Sequence, residues 1–330
     1  MRICVFGAGS IGGHVAARLA AAGHEVSVVA RGAHLDAIRA RGLELRFNGP
    51  QPAIRARVAA SDRPADLGPQ DAVFITTKAN ALSASAGSVA PLLGPVTPVA
   101  FVQNGIPWWY ARGLRAGRPP PPDLSALDPG GALERAIGFE RTIGGVVLSS
   151  NEVVEPGIVR NQTPTRNVLT LGEIDDRPSE RVAALRLALR DAGMSSPDTA
   201  DIRLVAWNKL LRNLSRSTLC ALSGESIHDL FHADAAMQEL ARRIATEAVA
   251  VAAAHGFDVD IDVPGMFGPK DIVQPHKPSI LQDYERGRPM EVEALIKAPQ
   301  QFARAAGVDT PSLDAVVALI VHRARTKGLY

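Results

Sequence analysis

The chain has 330 residues, 46% of them hydrophobic, with 36 basic and 34 acidic side chains and a formal net charge of +2. That apolar content excludes a disordered chain, the length fits two domains, and the charge balance leaves no broad basic face for nucleic acid. Two cysteines, Cys4 and Cys220, exclude a disulfide framework or a zinc cluster, and no apolar run reaches the roughly 20 residues of a membrane span. The apolar run at residues 3–6 breaks at Gly7, too early for a secretory leader, so a cytoplasmic setting is expected.

In chain order, Arg2–Phe6 (RICVF) reads as a buried strand, residues 11–22 as an alanine-rich helix stopped by Gly23, and residues 25–30 as a second strand. A helix over residues 33–41 follows, then strands at Leu43–Phe47 and residues 53–59 around the turn Asn48-Gly49-Pro50. Two more buried strands, residues 72–77 and 98–102, flank a helix over residues 82–93. Short apolar runs alternating with helices predict a parallel sheet covered on both faces. Residues 112–131 hold four consecutive prolines, Pro119 to Pro122, and read as a surface loop or extended arm. Strands are predicted at residues 143–148, 153–159 and 167–171, then a helix over residues 179–192. Beyond residue 200 only helices are expected, at residues 202–214, 235–255, 280–285, 292–306 and 313–325. Thr310 is expected to cap the last of these, with Pro311 in its first turn. The reading is an α/β chain with a parallel-sheet domain over residues 1–200 and an all-helical domain over residues 201–330.

Gly7-Ala8-Gly9-Ser10-Ile11-Gly12 is a G-x-G-x-x-G placed between a strand and a helix, with a second strand next. In that context Gly7 permits the turn, Gly9 lets phosphates approach the backbone, and Gly12 lets helix and strand pack closely. The second strand ends at Arg31 where an NAD site would carry an acid, and a guanidinium there can fork onto a 2′-phosphate, which favours NADP(H). Lys78 and Asn104 each follow a predicted strand at the rim where open α/β sheets bind ligands. Lys209 and Asn213 stand four apart on one helix, and Glu291 and Glu293 open another. Taken singly, a helical lysine is ordinarily solvated, and first-turn carboxylates are ordinary partners of the helix dipole. No metal-ligand spacing is found.

The ordered set GAGSIGG, TTKAN, QNG, WNKLLRN and HKPSILQDYERGRPMEVEALI resembles the ketopantoate reductase family along nearly the whole chain, most weakly at residues 112–131. The resemblance implies a Rossmann-type N-terminal domain, a helical C-terminal domain with the active site in the cleft between them, and NADPH-dependent reduction of a 2-keto acid. It implies that Gly7, Ala8, Gly9, Ser10, Ile11 and Gly12 hold the pyrophosphate and Arg31 the 2′-phosphate, with Lys78 and Asn104 near the nicotinamide. It further implies Lys209 as catalytic lysine, Asn213, Ser217 and Ser279 as substrate contacts, and Glu291 ahead of Glu293 as the family glutamate. A homodimer is a further expectation from the family.

The sequence departs from the family where Ser217-Thr218 replaces a frequent Asn-Pro pair. Arg212 and Arg216 lie on a helix expected to line the substrate, and Trp108, Trp109 and Tyr110 stand where they could reshape the pocket. Three functions therefore remain open at this level: reduction of ketopantoate to pantoate, the same chemistry on another 2-keto acid or D-2-hydroxy acid, and a dinucleotide-binding sensor without turnover.

Overall fold

The computed structural model describes residues 1–232, 234–267 and 277–330; His276, which opens the longest motif, lies outside them. The chain folds into two compact units, one of Met1–Gln103, Arg112–Leu114 and Asp128–Ile202, the other of Asn104–Ala111, Arg115–Leu127 and Arg203–Tyr330. Residues 104–111 and 115–127, placed by sequence order with the first domain, thus fold with the helices.

In the first unit, β1 (Arg2–Phe6), β2 (Glu25–Val29), β5 (Ala59–Ser61), β6 (Ala72–Ile75), β7 (Val99–Val102), β8 (Thr142–Leu148) and β11 (Val168–Glu173) form one sheet in the order β11-β8-β7-β6-β1-β2-β5. All neighbours are parallel except β8 and β11. Every residue of β6 and β7 is buried, which explains why they read as unbroken apolar runs rather than alternating ones.

A second sheet, in the order β4-β3-β10-β9, is made by β3 (Leu43–Phe47), β4 (Ile54–Ala56), β9 (Asn151–Glu155) and β10 (Ile158–Asn161). Two sequence expectations are corrected here. Residues 53–59 are not one strand: β4 returns antiparallel along β3, whereas β5 runs parallel beside β2 in the main sheet. Residues 153–159 are split by Gly157, whose φ of +81° turns the chain between β9 and β10.

The helix α1 (Ser10–Ala21) touches strands of both sheets. Gly13 makes that possible on the second-sheet side, since a Cβ there would stand 2.7 Å from Val159 Cγ2. Val15, Leu19, Leu43, Leu45 and Val159 are buried in one apolar cluster with the main sheet, each such side chain contributing roughly 1.5–3 kcal/mol.

The second unit is helical in its described residues. The helix α6 (Ile202–Arg212) does not end near residue 214 but runs through a π turn, Asn213–Ser217, into α7 (Thr218–Ser223). The long α9 (Ala235–Ala254), with Asp234 Oδ1 accepting from the amides of Ala236 and Met237, packs against α11 (Ala298–Ala306) and α12 (Pro311–Thr326). Thr310 precedes α12 but makes no side-chain cap. The carboxylate of Glu247 accepts from the Ser312 and Leu313 amides instead, at 3.0 and 2.8 Å, so an acid of α9 caps its neighbour. The proline-rich stretch also packs: the Arg118 guanidinium lies 3.9 Å over the Phe257 ring, and the turn Ser125–Leu127 meets a second π turn at Glu293–Lys297.

Candidate functional site

At the C-terminal rim of the main sheet, the amides of Gly7 and Ala8 both donate to the Val29 carbonyl at 3.0 Å, so the glycine loop is tied to the end of β2. Gly7 adopts φ +103°, and a Cβ on it would stand 2.7 Å from Thr77 Cγ2. A Cβ on Gly12 would strike the Gly7 carbonyl, Thr76 Oγ1 and Val5. Gly9 differs: it is exposed, and a Cβ there meets nothing within 4 Å. It precedes α1 without a side-chain cap, leaving the first-turn amides by half-buried Ser10 and Ile11 open to an anion. Arg31 is exposed two residues beyond β2, and Lys78 is half-buried past the end of β6. An open glycine, an uncapped helix start and an exposed arginine fit a pyrophosphate and a 2′-phosphate. Two contributors have no signature in the sequence. Thr76 Oγ1 donates to the Gly7 carbonyl at 2.7 Å, and His34, on the first turn of α2 (Gly32–Arg41), reaches the Ala8 carbonyl.

In the second unit, Lys209 Nζ donates to Asn104 Oδ1 at 2.5 Å. Asn104 is held there by its neighbours: Gly105 has φ +82° and lies so close to the Ala294 backbone that a Cβ would collide with it, and the Ile106 amide donates to the Ala294 carbonyl at 2.9 Å. Burial pulls the Lys209 ammonium from the ordinary lysine value down to about 8, while the carboxylate of Glu291 opposes that shift. Glu291 is itself buried, just ahead of the helix that begins at residue 292. Glu293 is engaged elsewhere: Lys297 Nζ donates to its Oε1 at 2.8 Å, and the Tyr330 hydroxyl donates to the same atom.

The π turn carrying half-buried Asn213 and Ser217 touches both the π turn at Glu293–Lys297 and α10 (Ser279–Glu285), whose exposed first residue is Ser279. Inserted residues of this kind recur at functional sites because they re-aim side chains without ending the helix. The aromatic triplet is a core feature rather than a pocket wall. Tyr110 is 1% exposed, its hydroxyl accepts from Trp207 Nε1 at 2.8 Å, and the Arg203 guanidinium stacks over the rings of Trp109 and Tyr110. Arg212 is exposed, and Arg216 lies over Phe267 at 5.3 Å. Among the described residues no group of His, Cys, Asp and Glu could hold a metal ion, and no helix is long and apolar enough to cross a membrane.

These features meet a known family. The sequence profile of ketopantoate reductase PanE/ApbA matches residues 3–108, and that of the ketopantoate reductase PanE/ApbA C terminal matches residues 201–324. The chain belongs to the ketopantoate reductase family. It is 42% identical, over the full length of both chains, to the 2-dehydropantoate 2-reductase of Mesorhizobium japonicum. The crystal structure of 2-dehydropantoate 2-reductase from Geobacter metallireducens GS-15 superposes with a TM-score of 0.83 at 27% identity, covering 98% of this chain and 99% of the other. A ternary structure of D-mandelate dehydrogenase with NADH and anilino(oxo)acetate shares the fold, with a TM-score of 0.80 at 20% identity and full coverage of both chains.

Proposed function

We propose that this chain reduces 2-dehydropantoate to pantoate with NADPH. The family and its 42% identical relative support the reaction, and the Rossmann-type rim with Arg31 past β2 supports the phosphorylated cofactor. With its pyrophosphate on the glycine loop, the cofactor would supply the hydride from its nicotinamide. Gly7 to Gly12 and the first turn of α1 bind the pyrophosphate, Arg31 binds the 2′-phosphate, and Lys78 lies near the nicotinamide end of the cofactor.

The observation that carries the mechanism is the Lys209 amine, partly buried, pulled down to about 8 and fixed by Asn104 at 2.5 Å. Reduction of a ketone places negative charge on its oxygen. Lys209 Nζ–H stabilises that charge and delivers the proton that completes the hydroxyl, losing one positive charge in doing so. Glu291 keeps the lysine protonated before the reaction and orients it or the new hydroxyl. Asn104 aims the amine, and Asn213, Ser217 and Ser279 contact the substrate's polar groups.

The test is turnover of purified protein with NADPH or NADH against a panel of 2-keto acids that includes 2-dehydropantoate and phenylglyoxylate, followed by cofactor absorbance. Highest kcat/KM with NADPH and 2-dehydropantoate is expected. Preference for another keto acid would overturn the substrate, and NADPH binding without oxidation by any keto acid would overturn the reaction.

A further inference from the structure

The glycine loop is held by a contact that glycine spacing does not encode. His34 Nε2 lies 2.7 Å from the Ala8 carbonyl oxygen, and the Gly157 amide lies 3.0 Å from His34 Nδ1. An amide N–H can only donate and a carbonyl can only accept, so Nδ1 must be unprotonated and Nε2 must carry the proton. The two contacts therefore fix one neutral tautomer, and burial, which lowers the His34 pKa against the opposing pull of the Ala8 carbonyl, keeps the ring in that form.

The bond acts on a specific peptide plane. The Ala8 carbonyl and the Gly9 amide belong to one planar unit, so fixing the carbonyl direction fixes the plane. The same plane is held at its other end by Gly9 N–H donating to the Gly7 carbonyl at 2.7 Å. Beyond it come the open face of Gly9 and the first-turn amides of α1. The far side of the imidazole is equally anchored, because the Gly157 turn accepts from the Glu44 amide at 2.9 Å through its own carbonyl. Gly157 also approaches α2 closely: a Cβ on it would stand 3.1 Å from the Ala37 Cβ.

We propose that His34 is a positioning residue for the dinucleotide, a strut between the second sheet and the Ala8–Gly9 peptide that sets the orientation in which the loop meets the pyrophosphate. This role rests on the dinucleotide-binding reading of the loop. It assigns the second sheet a part in cofactor affinity, although that sheet supplies no residue of the loop itself.

The experiment uses the full chain and two variants, with direct NADPH titration by protein fluorescence, steady-state kinetics, and amide hydrogen exchange of residues 7–12 without cofactor. His34→Leu removes donor and acceptor, and His34→Gln keeps one of each. For His34→Leu, the NADPH Kd and KM rise about tenfold, kcat at saturating NADPH stays within about twofold, the KM for the keto acid is unchanged, and exchange at residues 7–12 quickens. His34→Gln restores most of the affinity and the slow exchange. An unchanged Kd in His34→Leu, a fall in kcat without a rise in Kd, or a Gln variant no better than the Leu variant overturns the proposal. A wild-type chain that binds no NADPH overturns both this role and the dinucleotide reading, whereas wild-type binding matched by His34→Leu overturns the strut alone.

Discussion

A lysine in water holds its proton to about pH 10, too tightly for an acid that must work near neutrality. Burial brings Lys209 to about 8 and Glu291 opposes the shift, so near pH 7 the amine is charged but able to give its proton away. With Lys209 as the proposed proton donor the protonated form is the active one, so kcat should be flat below about 8 and fall roughly tenfold per pH unit above it. Lys209→Ala should lower kcat by roughly 10²–10⁴ with NADPH affinity retained, as a rapid-quench or steady-state assay beside a binding titration would show. The two glutamates are separable by the same logic. Glu291→Gln removes the charge that raises the lysine, so the alkaline limb should move to lower pH and kcat should fall. Glu293→Gln breaks only a partly exposed pair with Lys297 and Tyr330, so it should leave the pH profile in place and alter stability by about 0–1 kcal/mol. If Glu293→Gln shifts the pH profile and Glu291→Gln does not, the assignment of the two carboxylates is reversed.

In the strand–loop–helix element β1–α1, Gly9 and Gly12 have different physical duties. Gly12 exists for packing: a Cβ there collides with the Gly7 carbonyl, Thr76 and Val5. Gly12→Ala should therefore cost about 1–3 kcal/mol of stability, read by thermal or urea unfolding of the cofactor-free protein. Gly9 has φ −70°, which alanine tolerates, and open space around it. Gly9→Ala should leave cofactor-free stability within about 0.5 kcal/mol and yet weaken NADPH binding, because the methyl occupies the approach of the phosphates. Equal losses of stability in both variants would show that the loop is shaped by packing alone. The two π turns are the corresponding devices in the helical unit. Asn213–Ser217 and Glu293–Lys297 touch each other, and each interrupts the 3.6-residue period within a helix whose flanks stay in register with the core.

On the scale of the whole molecule, a ligand that binds only the folded chain raises its stability by mass action, by about 2.7 kcal/mol at one hundred times Kd. With Arg31 exposed past β2, NADPH should raise the unfolding temperature more than NADH at equal concentration, and Arg31→Asp should erase or invert that difference. Differential scanning calorimetry reads both, and an Arg31→Asp chain with the wild-type preference would remove the arginine from the site. The formal charge of +2 leaves little long-range field to draw in an anionic cofactor, so discrimination has to be local, at the guanidinium and the helix start.

The sequence by itself determined the glycine turn between β1 and α1, the parallel core strands and the succession of helices after residue 200. These depend on short-range rules: strand-length apolar runs, glycine where no side chain fits, and arginine where an acid would select NAD. It also named Lys209, Asn104 and Glu291. Tertiary structure alone decided that the first two share a 2.5 Å bond and that Glu293 is committed to Lys297 and Tyr330. Tertiary structure also divided residues 54–61 between two sheets, folded residues 151–161 back as a hairpin within the second, and buried the Trp108–Tyr110 cluster. Sheet membership and side-chain pairing depend on partners far away in the chain, as in the 123-residue span from His34 to Gly157. Local propensity carries no term for such distances, so only the closed chain could settle which histidine holds the loop and which carboxylate faces the lysine.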